Sequence, residues 1–129
     1  APTRGGDPRP AERAATSGPC GSPALADQRA CLAAAIDRSD AGLNQTYGDV
    51  VTAMRQRANT APGDPDPPEV QRLRAVQRSW LARRDAECRR RGRGREGPLW
   101  ASQRAQCLEE FSINRSRELS ATLARLRRE

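Results

Sequence analysis

Four cysteines, at positions 20, 31, 88 and 107, constrain this chain more than any other feature. A chain of 129 residues supports one domain with a modest core. Only 36% of the residues are hydrophobic and mean hydropathy is −0.87, so burial alone offers limited stabilisation. Cysteines in so small and polar a chain are read as a disulfide framework. Zinc is the weaker reading, because the spacings are C-x10-C and C-x18-C and the sequence contains 0 histidines. Four cysteines allow three pairings. The local pairs Cys20–Cys31 and Cys88–Cys107 are expected, the first pinning the entry segment to a helix and the second tying two helix ends across an arginine-rich interruption. Loops of this size contribute about 3 kcal/mol each in the chain-entropy account. Disulfides imply an oxidising compartment, and the start APTRGG, without methionine, is read as the mature end left by signal cleavage.

The apolar residues that remain recur at helical period. Residues 1–19 show no such periodicity and are expected to form a flexible tail, leaving 20–129 as a single domain. From about 23 to 58, Leu25, Leu32, Ile36, Leu43, Tyr47, Val50 and Met54 mark one helical face, with Ser22 as cap and Pro23 in the first position. The SDAG at 39–42 is a candidate kink, or a cap by Asp40. After the breaker TAPGDPDPP, a second helix is expected with Asp66 as cap and Pro67 at its first position. Its inner face would be Val70, Leu73, Val76, Gln77, Trp80, Leu81, Arg84 and Cys88. RRRGRGREG at 89–97 is expected to interrupt it, and Pro98 to open a third helix with Trp100, Cys107, Leu108, Phe111, Leu119, Leu123 and Leu126 inward. Strand-like alternation is absent over any useful length. The fold class is therefore all-α, a disulfide-stapled hairpin bundle of about three main helices.

Little in the sequence points to chemistry. Gly92, Gly94 and Gly97 match G-x-G-x-x-G, but an arginine-rich helix precedes them where a dinucleotide site needs a buried strand. Without histidine the usual general base is missing, and the carboxylates are scattered, so no catalytic residue, metal or cofactor is expected. The N-x-[ST] matches at Asn44 and Asn114 fall inside expected helices. Gln77, Trp80, Arg84 and Cys88 share one helical face and are read as scaffold, with Arg84 pairing its head with Asp40, Asp85 or Glu118.

These residues carry a resemblance. Cys20 and Cys31-Leu32, Asp40-x-x-Leu43-Asn44-x-x-Tyr47, Gln77-Arg78-x-Trp80-Leu81-x-x-Arg84-Asp85-x-x-Cys88, then Cys107-Leu108 and Arg115-x-x-Glu118-Leu119 follow one another in order. The pattern, over roughly residues 20–125, resembles the lysozyme inhibitor LprI-like N-terminal domain family of bacterial cell envelopes. The resemblance implies an exported helical domain with disulfides, and it implies inhibition of lysozyme by analogy with longer members.

The charge supplies a candidate surface. All 23 basic residues are arginine and the formal net charge is +7, which favours acidic partners. Arg89, Arg90, Arg91, Arg93 and Arg95 are the binding candidates, as a basic interhelical loop that enters the two-carboxylate cleft of an animal-type lysozyme. The alternative is an envelope adaptor that binds an acidic polymer or partner protein through its arginine surface. Nucleic acid is disfavoured by the implied compartment, and no apolar run is long enough to span a membrane.

Overall fold

The computed structural model describes residues 18–92 and 97–129. The tail expected at the start therefore lies, for residues 1–17, outside the described residues, as do Arg93 and Arg95. A short 3-10 turn, Gly18–Gly21, leads into three helices: α1 (Leu25–Arg57), α2 (Pro68–Gly92) and α3 (Trp100–Arg128). The described residues contain no strand, and the fold is the expected all-helical bundle.

The chain runs up, down and up. α1 and α3 lie parallel: Ala35 packs on Ala105 near one end, and Arg57 pairs with Glu129 at the other. α2 returns between them in sequence and packs antiparallel to both. The α1–α3 seam is the most extensive, and at Ala35 and Ala105 its side chains are small. Where α2 packs, large side chains fill the space: Trp80 on α2 joins Leu43 on α1 and Leu119 on α3 in the main core, and Gln77 and Arg84 are buried on α2 as well. Val50, Met54, Val70, Leu123 and Leu126 complete that core.

Both expected disulfides are present. Cys20–Cys31 closes the 3-10 turn on α1 with a Cα–Cα distance of 4.9 Å, and Cys88–Cys107 joins α2 to α3 at 5.6 Å. All four thiols are consumed, which removes a thiolate zinc site.

Several local expectations need correction. α1 begins at Leu25, not at Pro23, and Ser22 only accepts a hydrogen bond from the Ala24 N–H at 3.3 Å. The reason is that Ser22 is already committed: its carbonyl accepts from Gln28 Nε2 at 2.8 Å, which holds 22–24 outside the helix. SDAG does not restart α1, which is continuous over 33 residues, because no proline interrupts its ladder. Asp66 does not cap α2 through its side chain. Its carboxylate is taken by Arg55 at 2.8 Å and Arg74 at 2.6 Å, and α2 starts at Pro68. These two cations, Arg74 first, hold the Asp66 carboxyl below its ordinary range. Leu25 and Val76, expected inside, are 55% and 51% exposed. Their spacing is helical, but among the described residues no element packs over these two side chains.

Candidate functional site

The face read as scaffold, Gln77, Trp80, Arg84 and Cys88, is indeed interior. Arg84, 2% exposed, is among the largest fully buried side chains. Its Nη1 donates to Asp40 Oδ1 of α1 at 2.5 Å and to Ser112 Oγ of α3 at 3.1 Å, and its Nε donates to Asp85 Oδ1 at 3.0 Å. The guanidinium also lies 5.3 Å from the Trp80 ring centroid. Burial opposes the charge, but Asp40 and Asp85 more than offset it, so the pKa of Arg84 is raised. One side chain thereby joins all three helices. Asp85, adjacent in sequence, is a partner as well, since an arginine stem long enough to reach Asp40 can turn its Nε back to the neighbouring carboxylate. Glu118 instead pairs with Arg115 at 3.2 Å, and Arg115 Nε donates to the buried Gln77 Oε1 at 2.9 Å. Leu43 and Tyr47 pack in or against the core, whereas Asn44 is exposed on α1.

A second buried polar group was not anticipated. Gln28, 0% exposed, donates from Nε2 to the carbonyls of Cys20 and Ser22, and its Oε1 accepts the Ala101 N–H at 2.9 Å. Ala101 lies in the first turn of α3, where backbone N–H groups have no partner inside the helix. Leu99, at the cap position, supplies no side-chain bond, so Gln28 caps α3 from another helix. Its signal in the sequence is a glutamine in phase with Leu25 and Leu32. Both buried groups hold the fold, and no buried side-chain polar atom among the described residues lacks a partner.

The arginine candidates lie at the surface. Arg89, Arg90 and Arg91 are not in a loop: α2 runs through Gly92, and all three are exposed on its last turn. Arginine is a good helix former, and cations are favourable at a helix C-terminus, so the run extends α2 instead of interrupting it. Glu87 accepts from Arg90 Nε and Nη2 at 2.9 and 2.6 Å and from Arg91 Nε at 2.8 Å. These bonds, Arg90 first and then Arg91, lower the pKa of Glu87 to about 2. Arg91 also stacks on Phe111 of α3, 5.3 Å from the ring centroid. Arg89 has no partner among the described residues.

Beside this end, a hollow of about 560 Å3 opens between α2 and α3, with Trp80, Ala86 and Phe111 as floor and Arg83, Glu87, Arg90 and Arg91 around it. A larger one of about 710 Å3 lies between α1 and α3, lined by four serines with Gly42, Leu43 and Ile113, together with Arg38, Arg117 and Glu109. Among the described residues no group of three or more His, Cys, Asp or Glu could hold a metal, and no helix is long and apolar enough to cross a membrane.

This geometry can be set beside known proteins. No solved structure matches the chain. The uncharacterized protein YecT of Escherichia coli (strain K12) is 35% identical over 60 residues, which is 46% of this chain and 37% of that protein. The chain thus spans well under half the length of this relative. Residues 20–119 match the family described as lysozyme inhibitor LprI, a span that holds both disulfides and the Arg84 knot. The chain belongs to the lysozyme inhibitor LprI family.

Proposed function

We propose that this protein is an exported, non-enzymatic binding protein that inhibits animal-type lysozyme through the arginine-rich end of α2. The family supports inhibition, and the two disulfides support an oxidising compartment. The observation that supports the surface is the run Arg89–Arg91, exposed on a helical turn that Cys88–Cys107 fastens to α3. Lysozymes of this type work through two carboxylates in a cleft. A guanidinium matches a carboxylate with two parallel hydrogen bonds, and Arg89 can do so without breaking any pair among the described residues. Arg90 and Arg91 would share their remaining donors, and Arg93 and Arg95 would extend the same charge. Since these lysozymes are themselves basic, long-range steering opposes the encounter and short-range pairing must carry it.

The alternative, an envelope adaptor for an acidic polymer, draws on a different observation. α2 carries eight arginines against three acidic residues, whereas α1 carries four of each. Salt separates the two readings. Polymer binding weakens steeply as salt rises, whereas two basic proteins associate faster when their repulsion is screened.

Calorimetric titration into lysozyme, with its cleft empty or filled by a chitin oligosaccharide, tests the first reading. One-to-one binding that the oligosaccharide abolishes is expected. Binding that ignores it moves the contact outside the cleft, and no binding at all refutes the proposal.

A further inference from the structure

The hollow between α2 and α3 has a composition that scaffold alone does not require. Its floor, Ala86 and Phe111 with the edge of Trp80, is apolar, and its volume of about 560 Å3 suits a small ligand. Around it stand Arg83, Arg90 and Arg91 with one carboxylate, Glu87, so the groove carries a net charge of +2 from three cations and one anion. Glu87 already accepts three bonds from Arg90 and Arg91 and fixes both guanidinium planes. Both Nη groups of Arg91 and Nη1 of Arg90 remain for a ligand. Arg83 is exposed and has no partner among the described residues, so all five of its N–H donors remain as well.

We infer that this groove is a binding site for a carboxylate-bearing sugar, its acid group held by Arg83 with Arg90 or Arg91 and its ring over Ala86, beside the Arg91–Phe111 stack. Three features favour this class. The rim is rich in donors and its one acceptor group is occupied, so the ligand must be rich in acceptors, as a pyranose acid is. A peptide would bring backbone N–H groups that find no acceptor here, at the cost of an unmade hydrogen bond for each. A nucleotide would satisfy the rim and floor, but the disulfides point to a compartment where nucleotides are not expected. A sugar acid also has an apolar ring face for the floor, while its outward hydroxyls stay in water.

Two sources share this chemistry: uronic acids of acidic polysaccharides, and the lactyl-ether sugar acid of bacterial cell wall. The probes are therefore a galacturonate trisaccharide, its fully methyl-esterified form, a disaccharide containing N-acetylmuramic acid, and an aspartate-rich peptide. Each is titrated into the 15N-labelled, oxidised protein with no lysozyme present, so the outcome does not depend on the inhibitor reading. At least one sugar acid should shift the amides of Ala86 and Phe111, and which of the two does so assigns the source. The ester should bind at least about tenfold more weakly, and so should the Arg83→Gln variant, in line with one lost charged hydrogen-bond pair. Ala86→Glu, which sets a like charge on the floor of the groove, should abolish the shifts, with thermal melts confirming that both variants fold. Equal binding of the ester, an unaffected Arg83→Gln variant, equally tight binding of the peptide, or no binding by either sugar acid would each overturn the assignment.

Discussion

Replacing Arg84 by methionine tests how the three helices are held together. The substitution keeps an unbranched stem of similar reach but removes every donor from Asp40, Asp85 and Ser112. Removing one partner of a fully buried ion pair costs about 3–5 kcal/mol, because the other charge is left without compensation. Here the side chains of Asp40 and Asp85 are 23% and 44% exposed, so both carboxylates recover part of their hydration. Ser112, 3% exposed, does not. Discounting for that exposure, and adding back the lost stacking on Trp80, gives about 3 kcal/mol. For a domain of this size that corresponds to a fall in Tm of roughly 10–20 °C. Urea denaturation with the disulfides intact measures it. Asp40→Asn alone should cost less, and Arg84→Met with Asp40→Asn should be more stable than the sum of the two singles implies, by about 1–2 kcal/mol. An Arg84→Met variant within about 0.5 kcal/mol of the parent, the margin typical of surface changes, would refute the reasoning and leave the knot as an incidental surface arrangement.

Other outcomes follow from the same geometry. Replacing both Cys88 and Cys107 by alanine should lower stability by about 3 kcal/mol and speed amide exchange across Arg89–Gly92, where the disulfide fastens the last turn of α2. Gln28→Leu strands the Ala101 N–H and the Cys20 carbonyl; a loss of about 2–3 kcal/mol is expected, with faster exchange of the Ala101 amide as the specific readout. Glu87 has its pKa lowered from 4.5 to about 2, so its contribution to stability is complete above pH 4.5 and is lost as pH falls towards 2. Carboxyl NMR should follow that titration directly, and Arg90→Gln should move it back up towards 4.5.

The bundle was legible because burial here follows spacing. Leu43, Val50 and Met54 on α1 and Leu119, Leu123 and Leu126 on α3 are buried where the helical period puts them, and the local cysteine pairs close as expected. Period alone does not say which parts of a face meet a partner, and for that reason Leu25 and Val76 were misplaced. Capping was misread for a related reason. Asp66 and Ser22 have the right chemistry for caps, but tertiary partners, Arg55 and Arg74 for one and Gln28 for the other, compete for them. The arginine run reads as a break because glycines follow it, whereas propensity and the helix dipole both carry α2 on to Gly92. The groove over Phe111 could not be read at all, since Arg83, Glu87 and Phe111 meet only when α2 folds back on α3.

Lysozyme inhibition by the exposed end of α2, as proposed, is open to a direct test. The most direct measurement is the lysis of a bacterial cell-wall suspension by an animal-type lysozyme with the oxidised protein in molar excess. A variant with Arg89, Arg90, Arg91, Arg93 and Arg95 changed to serine is run beside it. Stoichiometric loss of lysis with the parent, and full lysis with a variant that melts like the parent, is the predicted result. Full lysis with the parent at large excess, or equal inhibition by the two proteins, would contradict it.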